Sequence, residues 1–106
     1  MSTRQNTDYG YEIQKVYLEM MMTDAETFVR CQAVFNPEAF DRRLQDGARF
    51  LHEYVTEHNA MPTFDMINAA TQVDIRHPGD LQESHYDWLL LEFETFSRHK
   101  ALEAAI

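Results

Sequence analysis

A proline that stops one helix and lets another start at once constrains this sequence more than any other feature. From Asn36 to Ala70 the chain reads NPEAFDRRLQDGARFLHEYVTEHNAMPTFDMINAA. Proline lacks the amide hydrogen a helix interior needs and pushes the residue before it toward extended geometry, so Met61-Pro62 is a stop. Upstream of it, Phe40, Leu44, Leu51 and Val55 share a helical face, with Phe50 and Tyr54 beside them. Asn36 is a capping residue, Pro37 is preset for a first helical position, and Glu38 suits the positive helix end. Gly47 predicts a break between a short turn around Phe40 and a longer helix reaching His58. Asn59, tolerant of left-handed backbone, is predicted to end that helix. Thr63 restarts the next, with Phe64, Ile67, Ala70 and Val73 predicted inward.

The flanking segments are helical by the same logic. Ile13, Val16, Tyr17, Met20 and Met21 recur at helical spacing, which predicts a helix from about Tyr9 to Met22 behind a flexible tail at 1–8. Thr23 or Asp24 can cap a short second helix carrying Phe28 and Val29, with Glu26 completing a capping box with Thr23. Val34-Phe35 reads as a buried connector. Three consecutive methionines, Met20 to Met22, cannot share one helical face, so one of them is predicted to point outward as a contact residue. Residues 74–82 form a loop around Pro78-Gly79. The last helix is predicted from Ser84 to the final residue, with two apolar stripes. One is Tyr86, Leu89, Leu90, Phe93 and Phe96. The other is Trp88, Leu91, Thr95, Leu102 and Ile106. A helix apolar on two sides needs two partners, the domain's own core and something else. No glycine, asparagine or proline follows Leu102. That helix is therefore expected to run on past Ile106 in a longer protein.

The predicted fold is thus all-α, a compact orthogonal bundle of about five helices spanning residues 9–106 and ending in a long helix. At 106 residues the chain has the length of one domain. Eighteen acidic against nine basic residues give a net charge of −9, which repels phosphate and argues against direct nucleic-acid binding. One cysteine, Cys31, permits no internal disulfide and fits a reducing cytoplasm. No apolar run marks a signal peptide or a membrane span.

Catalytic chemistry has no visible carrier. His52 and His58 are six residues apart and off one helical face, HExxH is absent, and one cysteine cannot build a structural zinc site. Glu92 and Glu94 diverge on a helix, whereas Glu53 and Glu57 share a face best read as solvated. Glu-x-x-His, the pattern of carboxylate-bridged metal sites in bundles, does not occur. Cys31, with Phe28, Val34 and Phe35 around it, reads as a buried thiol. The glycines are isolated and GxxxxGK[ST] is missing, so no phosphate loop exists. Arg42-Arg43 and Arg98-His99-Lys100 are the basic clusters. They read first as ordinary surface pairs and second as charged rims of a protein contact.

Three pieces recur in an order that resembles a known family. The first is Leu18 to Phe28, a helix ending in apolar residues followed by Asp24 and a phenylalanine four places on. The second is Phe35-Asn36-Pro37-Glu38-Ala39-Phe40, then Phe50 to Val55, closed by Ala60-Met61-Pro62-Thr63. The third is Asp87-Trp88 through Glu94-Thr95-Phe96-Ser97-Arg98-His99-Lys100-Ala101-Leu102. Together they resemble the N-terminal domain of DnaB-like replicative helicases, chiefly the bacteriophage branch, over residues 12–106. The resemblance implies a RecA-like ATPase domain, using ATP and magnesium, after a linker beyond Ile106. It also implies a hexameric ring and a collar of N-terminal domains that pair with one another and engage primase or a loader. No catalysis, cofactor or metal is expected of the present residues. The helix from Ser84 would lead into a hairpin that pairs subunits, and Trp88, Leu91, Thr95, Arg98, Leu102 and Ile106 become the interface candidates. The alternative is a free-standing helical adaptor, of phage origin, that binds a host protein. Glu19 and Met20 depart from the small residues common in the first helix of cellular members.

Overall fold

The structure, a computed structural model, describes residues 9–104. The predicted tail at 1–8 and the candidate Ile106 lie outside the described residues. Among the described residues are five α-helices: α1 (Tyr11–Met21), α2 (Ala25–Cys31), α3 (Arg42–His58), α4 (Phe64–Thr71) and α5 (Glu83–Ala104). Single 3-10 turns at Gln32–Val34 and Pro37–Ala39 join α2 to α3. No strand occurs among the described residues, so the fold is an all-α bundle, as the periodicity predicts.

Local signals set most boundaries. Asp24 caps α2 by accepting the Thr27 amide and hydroxyl, at 3.3 and 2.6 Å. The predicted capping box of Thr23 with Glu26 does not form. Thr23 instead donates to the Met20 carbonyl at 2.7 Å and shares a 2.6 Å hydrogen bond with the Tyr86 hydroxyl, tying α1 to α5. Asn36 accepts the Glu38 amide, but the turn it starts ends after Ala39, and α3 is capped separately by Asp41. Asn59 ends α3 in left-handed geometry, and Thr63 caps α4 through the Met66 amide at 3.1 Å.

Gly47 does not break the helix. α3 runs through it without interruption, and the break lies at Phe40-Asp41. The glycine serves close approach: a Cβ there would stand 2.9 Å from Val73 Cγ1. Packing of the segment after α4 onto α3 outweighs the roughly 1 kcal/mol that glycine costs a helix interior. Ala70 is exposed, not inward; Ile67, Val73 and Ile75 carry the contact on that side.

The core is aromatic. Tyr17, Phe28, Phe35, Phe40, Phe93 and Phe96 are all buried, with ring centroids of neighbouring pairs 5.2–6.0 Å apart. Edge and tilted contacts at these spacings add to the area buried. All three consecutive methionines are buried, which corrects the expectation that one would face outward. Helix α1 packs against α2, α3 and α5, and Met22 follows its last turn, so the end of the helix is enclosed on more than one side. Of the connector, Phe35 is buried while Val34 is exposed.

Two polar residues act as clips, Gln14 buried and Asn68 half-buried. Gln14 donates from its amide nitrogen to the Tyr9 carbonyl and accepts the Asp41 amide at its oxygen, fixing the chain entry and the start of α3 to α1. Asn68 holds both backbone groups of Ile75, at 2.8 and 3.0 Å. Glu19 accepts the Arg76 amide at 2.9 Å and so fastens the loop before α5 to α1.

Candidate protein interface

Helix α5 is 22 residues long, about 33 Å at 1.5 Å per residue, and lies along much of a molecule whose longest extent is 39 Å. Leu89, Phe93 and Phe96 are its buried residues, with Tyr86 and Leu90 partly covered. Trp88, Leu91, Thr95, Arg98 and Leu102 are exposed. At about 100° per residue this set lies on the side of α5 opposite Phe93, half a turn from the core face. Leu91 is 67% exposed and Leu102 66%. The structure therefore brings five of the six sequence candidates onto one outward face, with Ile106 outside the described residues.

The five residues differ in what they offer. Trp88 is anchored at one edge against Tyr17, ring centroids 6.1 Å apart, and leaves 38% of its surface open. Thr95 satisfies its own hydroxyl by donating to the Leu91 carbonyl at 3.0 Å. Arg98 reaches back one turn to Glu94 at 3.0 Å and keeps most of its side chain in solvent. His99 and Lys100 both meet Glu103, at 3.0 and 3.3 Å. These are local helical pairs worth a few tenths of a kcal/mol each, roughly 0.3–0.5 by analogy with measured pairs, so they decorate the helix without fixing it. Arg43 likewise closes on Asp41 at 3.0 Å and lies over the Tyr11 ring at 4.1 Å. That hydrogen bond from Arg43 holds the Asp41 carboxyl below the usual carboxylate range.

A second feature borders α5 that periodicity could not reveal. A groove of about 810 Å³ runs between the connector before α3 and the distal half of α5. Val34, Phe35, Ala39 and Phe40 line it from the connector, and Ser97 and Ala101 from α5. Both 3-10 turns pack against α5, and the groove between them and the helix is a tertiary outcome with no local sequence signal.

The remaining chemical candidates stand apart from one another; the ring of His52 leaves its buried Nδ1 without a hydrogen bond. Cys31 is buried, and desolvation raises its thiol to a pKa of about 11, where little thiolate exists at neutral pH. His77 accepts the Gly79 amide and His85 the Gln82 amide, at 3.0 and 2.9 Å. His52 stacks on Phe35 with ring centroids 6.0 Å apart. Among the described residues, no three histidine, cysteine, aspartate or glutamate side chains cluster as metal ligands would. No helix among them is long and apolar enough to cross a membrane.

Comparison with protein-family models, with curated proteins and with solved structures finds no match to this chain.

Proposed function

We propose that this chain is the N-terminal assembly and docking domain of a DnaB-like replicative helicase. The observation that carries the reading is the outer face of α5, where a long helix keeps Leu91, Leu102 and part of Trp88 in solvent on the side away from its own core. Large aliphatic and aromatic residues aligned on one helix face are what a partner helix covers. The order of the pieces from Leu18 to Leu102 supplies the family. In such a protein ATP and magnesium belong to the following RecA-like domain. The present residues contribute contacts: between neighbouring copies in the ring, and from the collar to a primase or loader. The net charge of −9 supports a role in protein contacts over one in gripping DNA.

The test has two arms. Sequencing the native reading frame downstream of Ile106 should show a linker and then GxxxxGK[ST] after a strand pattern. The immobilised domain should retain the primase or loader encoded with it, and Leu91→Asp should weaken that retention without loss of helical circular dichroism. An early stop codon, with neither protein retained, would remove the helicase reading and leave the free-standing adaptor.

A further inference from the structure

Two hollows beside α5 lie on one flank of that helix. A notch of about 380 Å³ sits where α2 meets the start of α5, and the groove of about 810 Å³ follows it beside the connector. Glu83, Asp87 and Leu90 line the notch, and Glu94, Ser97 and Ala101 line the groove. Those residues are spaced four, three, four, three and four. They therefore form one stripe along α5, about 27 Å long at 1.5 Å per residue. The opposite bank is also continuous in the chain: Thr27 and Arg30 of α2 lead into Ala33 and Val34 of the first 3-10 turn. This flank lies between the core face of α5 and the outer face that carries Leu91 and Leu102.

Charge and size define what fits there. Seven carboxylates and three cations line the two hollows. Each cation already meets a carboxylate: Arg30 meets Glu26 at 3.3 Å, Arg98 meets Glu94 at 3.0 Å and Lys100 meets Glu103 at 3.3 Å. Asp24 is engaged as the cap of α2. Glu38, Glu83 and Asp87 are exposed and have no cation partner among the described residues. Beside these charges the groove is apolar, and Val34, Ala39, Ser97 and Ala101 are small enough to let a second helix come close.

We infer that this flank binds an amphipathic helix of another protein, apolar on one face and carrying lysine or arginine beside it. Laid along the stripe, its apolar residues cover Val34, Ala39 and Ala101. Its cations meet Glu38 at the groove and Glu83 and Asp87 at the notch. Nucleic acid and anionic lipid are repelled by the same carboxylates. The site is separate from the outer face of α5 and holds whether or not the chain belongs to a helicase.

A defined probe tests it: a helical peptide of leucine and lysine, about 18 residues to match the stripe, with its leucines on one face. The control replaces every lysine with glutamate. Titrated into the isotope-labelled full chain, the lysine peptide should shift the amide signals of Val34, Ala39 and Ala101 together with those of Glu83 and Asp87. The glutamate peptide should shift none. Ala101→Gln fills the groove without changing charge and should weaken binding about tenfold, with a smaller loss for Asp87→Asn. Both residues are exposed, so helical circular dichroism should not change. Added salt should weaken binding by screening the attraction. Leu91→Ser, on the outer face, should leave the affinity as it was. No binding of the lysine peptide, binding that Ala101→Gln leaves intact, or binding lost with Leu91→Ser would overturn the proposal.

Discussion

Helices α3 and α5 are the two longest in the molecule and solve different problems. All the apolar weight of α3 lies on one side. Leu44, Ala48 and Leu51 are fully buried, Phe50 and Val55 are partly covered by the same core, and charged and polar residues make up most of the remainder. Helix α5 is apolar on opposite sides, and only one side is covered. Phe93 and Phe96 are at the centre of the aromatic core while Leu91 and Leu102 stand in solvent. The first helix is explained by the fold alone. The second is not, since nothing in folding requires leucines on its outer face, and that surplus is what the proposed function accounts for.

Substitutions can break or sharpen this contrast. The largest effect is expected from Leu51→Ala, which empties a fully buried site on α3 and should cost about 2–5 kcal/mol in urea unfolding. Next comes Gly47→Leu, where a side chain must displace Val73. A loss of about 1–3 kcal/mol is expected, and an unchanged midpoint would show that the segment after α4 does not press on α3. On the outer face of α5, Leu91→Asp should change folding stability by no more than about 0.5 kcal/mol while abolishing association. Unfolding by that variant would make the outer face a second core and erase the contrast.

The smallest effect concerns the start of α3. The Asp41 carboxyl is held below its ordinary range by the side-chain and then the backbone hydrogen bonds of Arg43. Its folded pKa lies below its unfolded one, so the stabilisation is complete above the unfolded value of about 3.9 and fades as pH falls through the folded value. Asp41→Asn should therefore lower stability slightly at neutral pH and flatten the acid limb of the unfolding curve. Identical slopes for the two proteins would place the cap elsewhere.

How much of this was legible in the sequence follows from how local each signal is. Asn59, Pro62 and Thr63 act on their own backbone, so the stop and restart were readable. The two stripes of α5 were readable too, because both follow from one period. Gly47 was misread since its reason, Val73, lies 26 residues on, across a turn. The methionine triplet was misread for a similar cause: a helix end enclosed by several elements can bury neighbours that face different ways. Gln14 gave no signal, because a buried glutamine looks like a surface one until the chain ends it clips are known. The groove beside the connector belongs to no single element.

The outer face of α5 is tested most directly by sedimentation equilibrium on the wild-type chain and on Leu91→Asp, in moderate salt, across a wide range of concentration. The account predicts a reversible monomer–dimer equilibrium for the wild type, and a monomer with the same helical circular dichroism for the variant. A wild-type chain that stays monomeric throughout, or a variant that dimerises equally well, would contradict it.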